Sequence, residues 1–196
     1  MKQLALGISP PPQPTLDNFV PGSNAELLLR LRELQAGKFA ENVLYLWGEA
    51  GSGKSHLLRA CAGLNPADDV EKLDDASQIG LFNRINEARQ SGGAVLAAGN
   101  APPAQLPLRE DLKSRLAWGL VYQIKPPSDE ERAQYLRAEA GRRGMRLPDE
   151  VVSYLLRRMR RDLRSLTAVL DQLDRFSLET KRPVTLPLVR EALKPE

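Results

Sequence analysis

With one cysteine, the chain can form no internal disulfide and offers no thiolate cluster for zinc. No apolar stretch approaches the roughly 20 residues of a membrane-spanning helix, and the apolar region at the N-terminus is too short for a secretory signal. Charge of one sign is not in excess either. Twenty-eight basic against 25 acidic residues leave a net charge of +3, weak evidence for a nucleic-acid partner. Together these absences exclude a disulfide scaffold, a zinc module and a membrane partner, and predict a cytoplasmic protein. What is present is ordinary for a globular chain. At 196 residues, 42% hydrophobic and 27% charged, it can hold a substantial core in one or two domains. Cys61 falls on the apolar side of a predicted helix, where packing accounts for it.

The most informative run is Gly48-Glu49-Ala50-Gly51-Ser52-Gly53-Lys54-Ser55, which fits the phosphate-cradling pattern G-x-x-x-x-G-K-[ST]. Its context fits as well. The apolar, strand-like run Val43 to Trp47 enters it, and the helix-compatible run Ser55 to Cys61, with His56 second, leaves it. Gly48, Gly51 and Gly53 let the backbone curl, with Ser52 among them, so that successive N–H groups converge on an anion at a helix N-terminus. Lys54 is suited to the β- and γ-phosphates, and the Ser55 hydroxyl to Mg²⁺. Strand, loop, Lys-Ser and helix in this order distinguish the run from a glycine-rich turn, and predict a nucleotide, ADP or ATP, bound with Mg²⁺.

Three parts follow along the chain. Residues 1–14 include Ser9-Pro10-Pro11-Pro12-Gln13-Pro14 and read as an extended tail. Residues 15–126 alternate helices and strands. Ser23 can cap a helix carrying Leu27, Leu28, Leu31 and Leu34 and stopped by Gly37. Asp74 can cap another with Ile79, Phe82 and Ile85 on one face, ended by Gly92-Gly93. The all-apolar run Ala94 to Ala98 is the pattern of a strand covered on both faces of a parallel sheet, and Leu120 to Ile124 forms another strand before Pro126-Pro127. Residues 127–196 look helical throughout: about 128–143, 148–158, 162–180, and 186–193 capped by Thr185. The expected fold class is α/β, a P-loop parallel-sheet domain followed by a small all-α domain.

Several further motifs stand in order. Asn18-Phe19-Val20-Pro21-Gly22-Ser23-Asn24 precedes the first helix, Asp68-Asp69-Val70-Glu71 is a second acidic motif, and Gly99-Asn100-Ala101-Pro102-Pro103 follows an interior strand. Leu112-Lys113-Ser114-Arg115-Leu116-Ala117-Trp118-Gly119, Asp162-Leu163-Arg164-Ser165-Leu166 and Asp171-Gln172-Leu173-Asp174 complete the set. On these residues the chain resembles, over nearly its whole length, the AAA+ ATPases of the bacterial replication-initiator group, and within it the Hda branch of DnaA-related proteins. The resemblance implies an AAA+ sheet domain with a helical lid. It also implies roles. Asp68 would hold Mg²⁺, as a hard cation favours carboxylate and water oxygens. Asp69 would orient or activate the attacking water. Asn100 would be the sensor beside the γ-phosphate, and Arg164 the lid arginine that closes on the β/γ-phosphates. Val20 and Pro21 would line the adenine pocket. Arg115 resembles an arginine finger acting in trans on a neighbouring subunit's nucleotide, a role worth about 10³–10⁵ in rate.

The tail and the interval after the phosphate loop carry two further signals. Gln3-Leu4-Ala5-Leu6-Gly7-Ile8 resembles the peptide with which replication proteins dock on the DNA polymerase sliding clamp, the beta subunit. Gln3 would offer its amide, and Leu4, Leu6 and Ile8 the apolar anchors. The departure is the thirteen residues from Ser55 to Ala67. The family places a strand, a helix and the acidic-motif strand there, and a parallel crossover alone takes a dozen or more residues. The segment near 64–68 is therefore shortened, by a deletion or an omitted stretch, and Leu64-Asn65-Pro66-Ala67 offers no buried strand to deliver Asp68-Asp69. The cluster Arg157-Arg158-Met159-Arg160-Arg161 admits a solvated, partner-facing or duplex-binding face. The resemblance implies a regulator that docks on the clamp, reaches DNA through it, and triggers ATP hydrolysis on DnaA, either alone or as a homo-oligomer. The alternative is an initiator-like DNA-remodelling ATPase or loader adaptor that hydrolyses its own ATP.

Overall fold

The computed structural model describes residues 13–38, 41–160 and 162–194; Gln3, Leu4, Leu6, Ile8 and Arg161 lie outside the described residues. The chain forms two compact units, one of Gln13–Pro126 and one that includes Pro127 onward.

The first unit is built on a parallel sheet of three strands, β1 (Val43–Trp47), β2 (Val95–Gly99) and β3 (Leu120–Gln123), in the order β2-β1-β3. Leu44 and Leu46 point to one face and Val43 and Tyr45 to the other, because side chains alternate along a strand. On the first face they pack with Leu27, Leu28, Leu31 and Leu34 of α1 (Ala25–Gln35) and with Leu57 and Leu58 of α2 (Lys54–Ala60). On the second they meet Leu81 and Ile85 of α3 (Asp75–Ser91) and Leu112 and Leu116 of α4 (Glu110–Ala117). Burial on both faces explains why β2 is apolar at every position. The apolar period of α1 is as expected, but its entry differs. A 3-10 turn, Gly22–Asn24, precedes it, Asn24 rather than Ser23 takes the N-cap position, and the Asn24 amide turns away to bridge the Lys125 N–H and carbonyl, both at 2.9 Å. In α3, Asp74 does cap, accepting from the Ser77 N–H at 2.8 Å, while Ile79 faces solvent and Leu81 and Ala88 take the core face with Ile85.

The short interval after α2 is resolved without a full strand. A 3-10 turn, Ala62–Leu64, and left-handed Asn65 lead to Ala67, which makes a single parallel bridge to Ala97. The Ala67 N–H donates to the Leu96 carbonyl at 3.0 Å, and the Ala98 N–H donates to the Ala67 carbonyl at 2.8 Å. One residue thus does locally what a strand would do. It sets Asp68 and Asp69 beside the end of β2 and satisfies two backbone groups on that strand's open edge.

The second unit is helical: α5 (Asp129–Arg142), α6 (Asp149–Arg158), α7 (Leu163–Thr180) and α8 (Leu186–Ala192). Ser128 and Glu131 form a reciprocal capping box on α5. Asp162 caps α7 by accepting from the Ser165 N–H at 2.8 Å and its hydroxyl at 2.9 Å. Thr185 stands before α8 but makes no side-chain cap bond. Leu136, Val151, Leu155, Leu166, Leu170 and Leu188 form the core, each contributing about 1.5–3 kcal/mol by burial. Arg143 ties α5 to α7, bonded to Glu139 at 2.9 Å and to Asp171 at 2.5 Å. No helix among the described residues is long and apolar enough to cross a membrane.

Candidate functional site

The register of the sheet builds the site. Trp47 is paired with Gly99 on one side and Gln123 on the other, so the chain leaves the sheet at Gly48, Asn100 and Ile124 along one edge. Adjacent strands lie about 5 Å apart, and the Ala67 bridge brings Asp68 and Asp69 to the same edge one step beyond β2. Most residues expected at the nucleotide therefore share this edge.

The loop from Gly48 to Gly53 is an anion cradle by construction. Gly53 has φ +107°, and a Cβ there would lie 2.6 Å from the Phe19 ring, so only glycine fits. Gly51 is also left-handed, with φ +80°. The Lys54 ammonium donates to the carbonyls of Gly48 at 2.7 Å and Glu49 at 3.1 Å, inside its own loop. The Ser52 hydroxyl is buried and has no hydrogen-bond partner among the described residues. Ser55 and His56 are half-buried in the first turn of α2. The His56 Nε2–H donates to the Thr15 carbonyl at 3.0 Å, and its ring lies 5.6 Å from that of Phe19. These contacts lay the segment before α1 over the start of α2. Val20, half-buried, and Pro21, exposed, follow directly, beside the loop.

The acidic motif arranges its carboxylates unequally. Asp68 is exposed and accepts the Asp69 N–H at 3.0 Å. Asp69, left-handed at φ +49°, is bound to the Lys72 ammonium at 2.7 Å. Glu71 turns inward and accepts the Asn100 N–H at 3.3 Å, while the Tyr45 hydroxyl donates to the Ala101 carbonyl at 2.7 Å. The Asn100 turn is thus held from two sides. Gly99 is required there because a Cβ would press on the Tyr45 hydroxyl and come within 3.2 Å of Glu71 Oε2. Burial, reinforced by the Glu71 charge, pushes the Tyr45 phenol well above its ordinary value. Sequence reasoning gave Glu71, Tyr45 and Phe19 no role. A hydroxyl in the middle of an aliphatic strand was the available signal for Tyr45.

Arg115 stands apart from this edge. It lies in the last turn of α4, its guanidinium 3.5 Å from the centroid of the Trp118 ring and 5.2 Å from that of Phe82. Trp118 and Gly119 lead into β3 beside Val43, at the opposite end of the strands from the loop. A five-residue strand spans roughly 13–17 Å. Arg164 is exposed in the first turn of α7, in the second unit. Arg157 and Arg158 are exposed at the end of α6, and Arg160 pairs with Asp162 at 3.4 Å.

Residues 129–193, the helices of the second unit, match the family model described as the lid domain of Hda. The helices of the second unit are thus similar to the Hda lid domain. Among solved structures it is similar to domain III of the replication initiation protein DnaA from Thermotoga maritima. The identity is 24% and the TM-score 0.76, over 93% of this chain and 98% of that one. It is similar also to AMPPCP-bound DnaA from Aquifex aeolicus, at 21% identity and TM-score 0.70, over 82% of this chain and 65% of that one. The Holliday junction branch migration motor RuvB of Thermotoga maritima matches at 16% identity and TM-score 0.69, over 92% of this chain and 71% of that one. At these identities the likeness is one of fold: an α/β AAA+ sheet domain with a helical lid.

Proposed function

We propose that this chain is a regulatory AAA+ protein that holds a nucleotide at Gly48–Ser55 and acts on the replication initiator DnaA, bringing Arg115 to DnaA-bound ATP and so limiting re-initiation. The observation that carries nucleotide binding is the cradle itself. Among the described residues, the buried Ser52 hydroxyl has no partner and the Lys54 ammonium bonds only to carbonyls of its own loop, and both are donors prepared for an anion. The DnaA relative of similar fold binds AMPPCP, which supports a nucleoside di- or triphosphate as that anion. Gly48, Gly51, Ser52, Gly53, Lys54, Ser55 and His56 would hold its phosphates, and Val20 and Pro21 its base. Ser55 and Asp68 would hold Mg²⁺, whose preference for one or two carboxylates plus water and phosphate oxygens suits an exposed Asp68. Mg²⁺ would supply charge neutralisation on the phosphates. Asn100 and Arg164 would sense the γ-phosphate.

Two features favour action in trans over turnover of the chain's own ATP. Asp69, the candidate for activating water, has its carboxylate engaged by Lys72. Arg115 sits at the end of the strands away from its own loop, where a second molecule could receive it. ADP is then a structural ligand. Gln3, Leu4, Leu6 and Ile8 would dock on the sliding clamp, bringing the chain to DNA. Single-turnover hydrolysis of ATP preloaded on DnaA, with and without clamp on DNA, tests the reading. Acceleration that depends on clamp-loaded DNA supports it. Hydrolysis confined to ATP bound by this chain would favour instead the initiator-like ATPase or loader adaptor.

A further inference from the structure

Arg115 has an unusual environment for a half-buried cation. No carboxylate among the described residues pairs with it, and its Nε is buried without a hydrogen-bond partner. Two aromatic faces hold it instead: Trp118, one turn on in the sequence, at 3.5 Å, and Phe82 from α3 at 5.2 Å. Trp118 is itself 48% exposed, a large apolar surface to leave in water. Arg89, at the end of α3, lies over the same ring, 4.8 Å from its centroid. Arg89 likewise has no ion pair among the described residues, although Glu41 lines the cleft beside Trp118 with it.

This arrangement separates orientation from neutralisation. A carboxylate would fix the Arg115 guanidinium but would also cancel the charge it has to offer. An aromatic face fixes the plane and leaves the N–H groups and the charge available to an external anion. A long side chain that is already ordered also loses less conformational freedom when it engages its target. Arg89, exposed on the opposite helix, steadies the ring.

We propose that Trp118 is a positioning residue for Arg115, steadied by Arg89, which holds the guanidinium in plane for the phosphates of a partner-bound nucleotide without neutralising it. The proposal rests on the reading of Arg115 as acting in trans. The experiment measures single-turnover hydrolysis of radiolabelled ATP on DnaA, with clamp-loaded DNA, across a titration of the full chain. Trp118→Leu lowers the rate at saturation about tenfold while leaving the half-saturating concentration unchanged, and Trp118→Phe restores most of it. Arg89→Ala, at an exposed position that carries no folding burden, lowers it by a smaller factor. In parallel, the Arg115 Nε–H signal in a side-chain ¹⁵N spectrum of the free protein stands upfield of the other arginines through the ring current, and moves back in Trp118→Leu. A wild-type rate for Trp118→Leu with an inactive Arg115→Ala overturns this inference alone. An active Arg115→Ala overturns the trans reading and the inference together. An Arg115 signal lying among the other arginines overturns the stacked geometry even if Trp118→Leu fails to fold.

Discussion

Ser52→Ala is predicted to move stability and binding in opposite directions. The Ser52 hydroxyl is buried in the middle of the phosphate loop and bonds to nothing among the described residues. A buried polar group without a partner costs about 1–3 kcal/mol. Deleting its oxygen leaves a small space and no orphaned partner, so the free protein should gain up to about 1–3 kcal/mol, read as a thermal midpoint higher by about 2–4 °C per kcal/mol in a chain of this size. With a phosphate anion present the same hydroxyl has a charged acceptor within its cradle. A hydrogen bond to a charged group contributes about 1.5–3 kcal/mol, so ADP affinity should fall by about tenfold to a hundredfold. Calorimetric melts without nucleotide, and titration with ADP, measure the two arms. A variant that is less stable when free, or that binds ADP as tightly as wild type, would refute the view that Ser52 is an unsatisfied donor kept for the ligand.

Two further predictions concern the second unit and the thiol. Burial alone would raise the Asp162 carboxyl, but the Ser165 N–H and hydroxyl outweigh it and hold the carboxyl below its ordinary value, so its capping contribution is present above the unfolded carboxylate range and lost as pH falls through the lower folded value. Asp162→Ala should therefore lower stability by about 1 kcal/mol at pH 7 in urea unfolding, with the difference from wild type shrinking below about pH 4. Cys61 is buried on the first face of the sheet, and burial pushes its thiol up to about 11. At pH 8 only about one molecule in a thousand carries the thiolate, so alkylation by iodoacetamide should be undetectable in the native protein and rapid in denaturant.

Much of this was legible in the sequence because local chemistry decided it. The loop from Gly48 to Ser55 is a run of contiguous residues whose pattern dictates its own backbone, and the apolar runs of β1 and β2 report burial on both faces. The cap was read correctly at Asp74, where the side chain has no competing use, and misread at Ser23, because Asn24 takes the cap position and bonds to Lys125, a residue 101 positions away, while the capping box of Ser128 and Glu131 emerged only in the structure. The acidic motif was legible as a motif but not as an arrangement. That Ala67 alone would pair with β2, that Asp69 would turn left-handed onto Lys72, and that Glu71 would hold the Asn100 turn depend on how the shortened interval closes against the sheet. The stacking of Arg115 between Trp118 and Phe82 joins two helices, and only half of it, the i to i+3 pair, lies within one sequence window.

The central claim is that the loop from Gly48 to Ser55 holds a nucleotide, and equilibrium titration of the full chain with ADP and Mg²⁺, beside Lys54→Ala, tests it most directly. Wild type should bind one ADP per chain, and ADP at a hundredfold excess over Kd should stabilise it by about 2.7 kcal/mol. Lys54→Ala should bind far more weakly and gain correspondingly little. No binding by wild type, or equal binding and equal stabilisation in Lys54→Ala, would contradict the account.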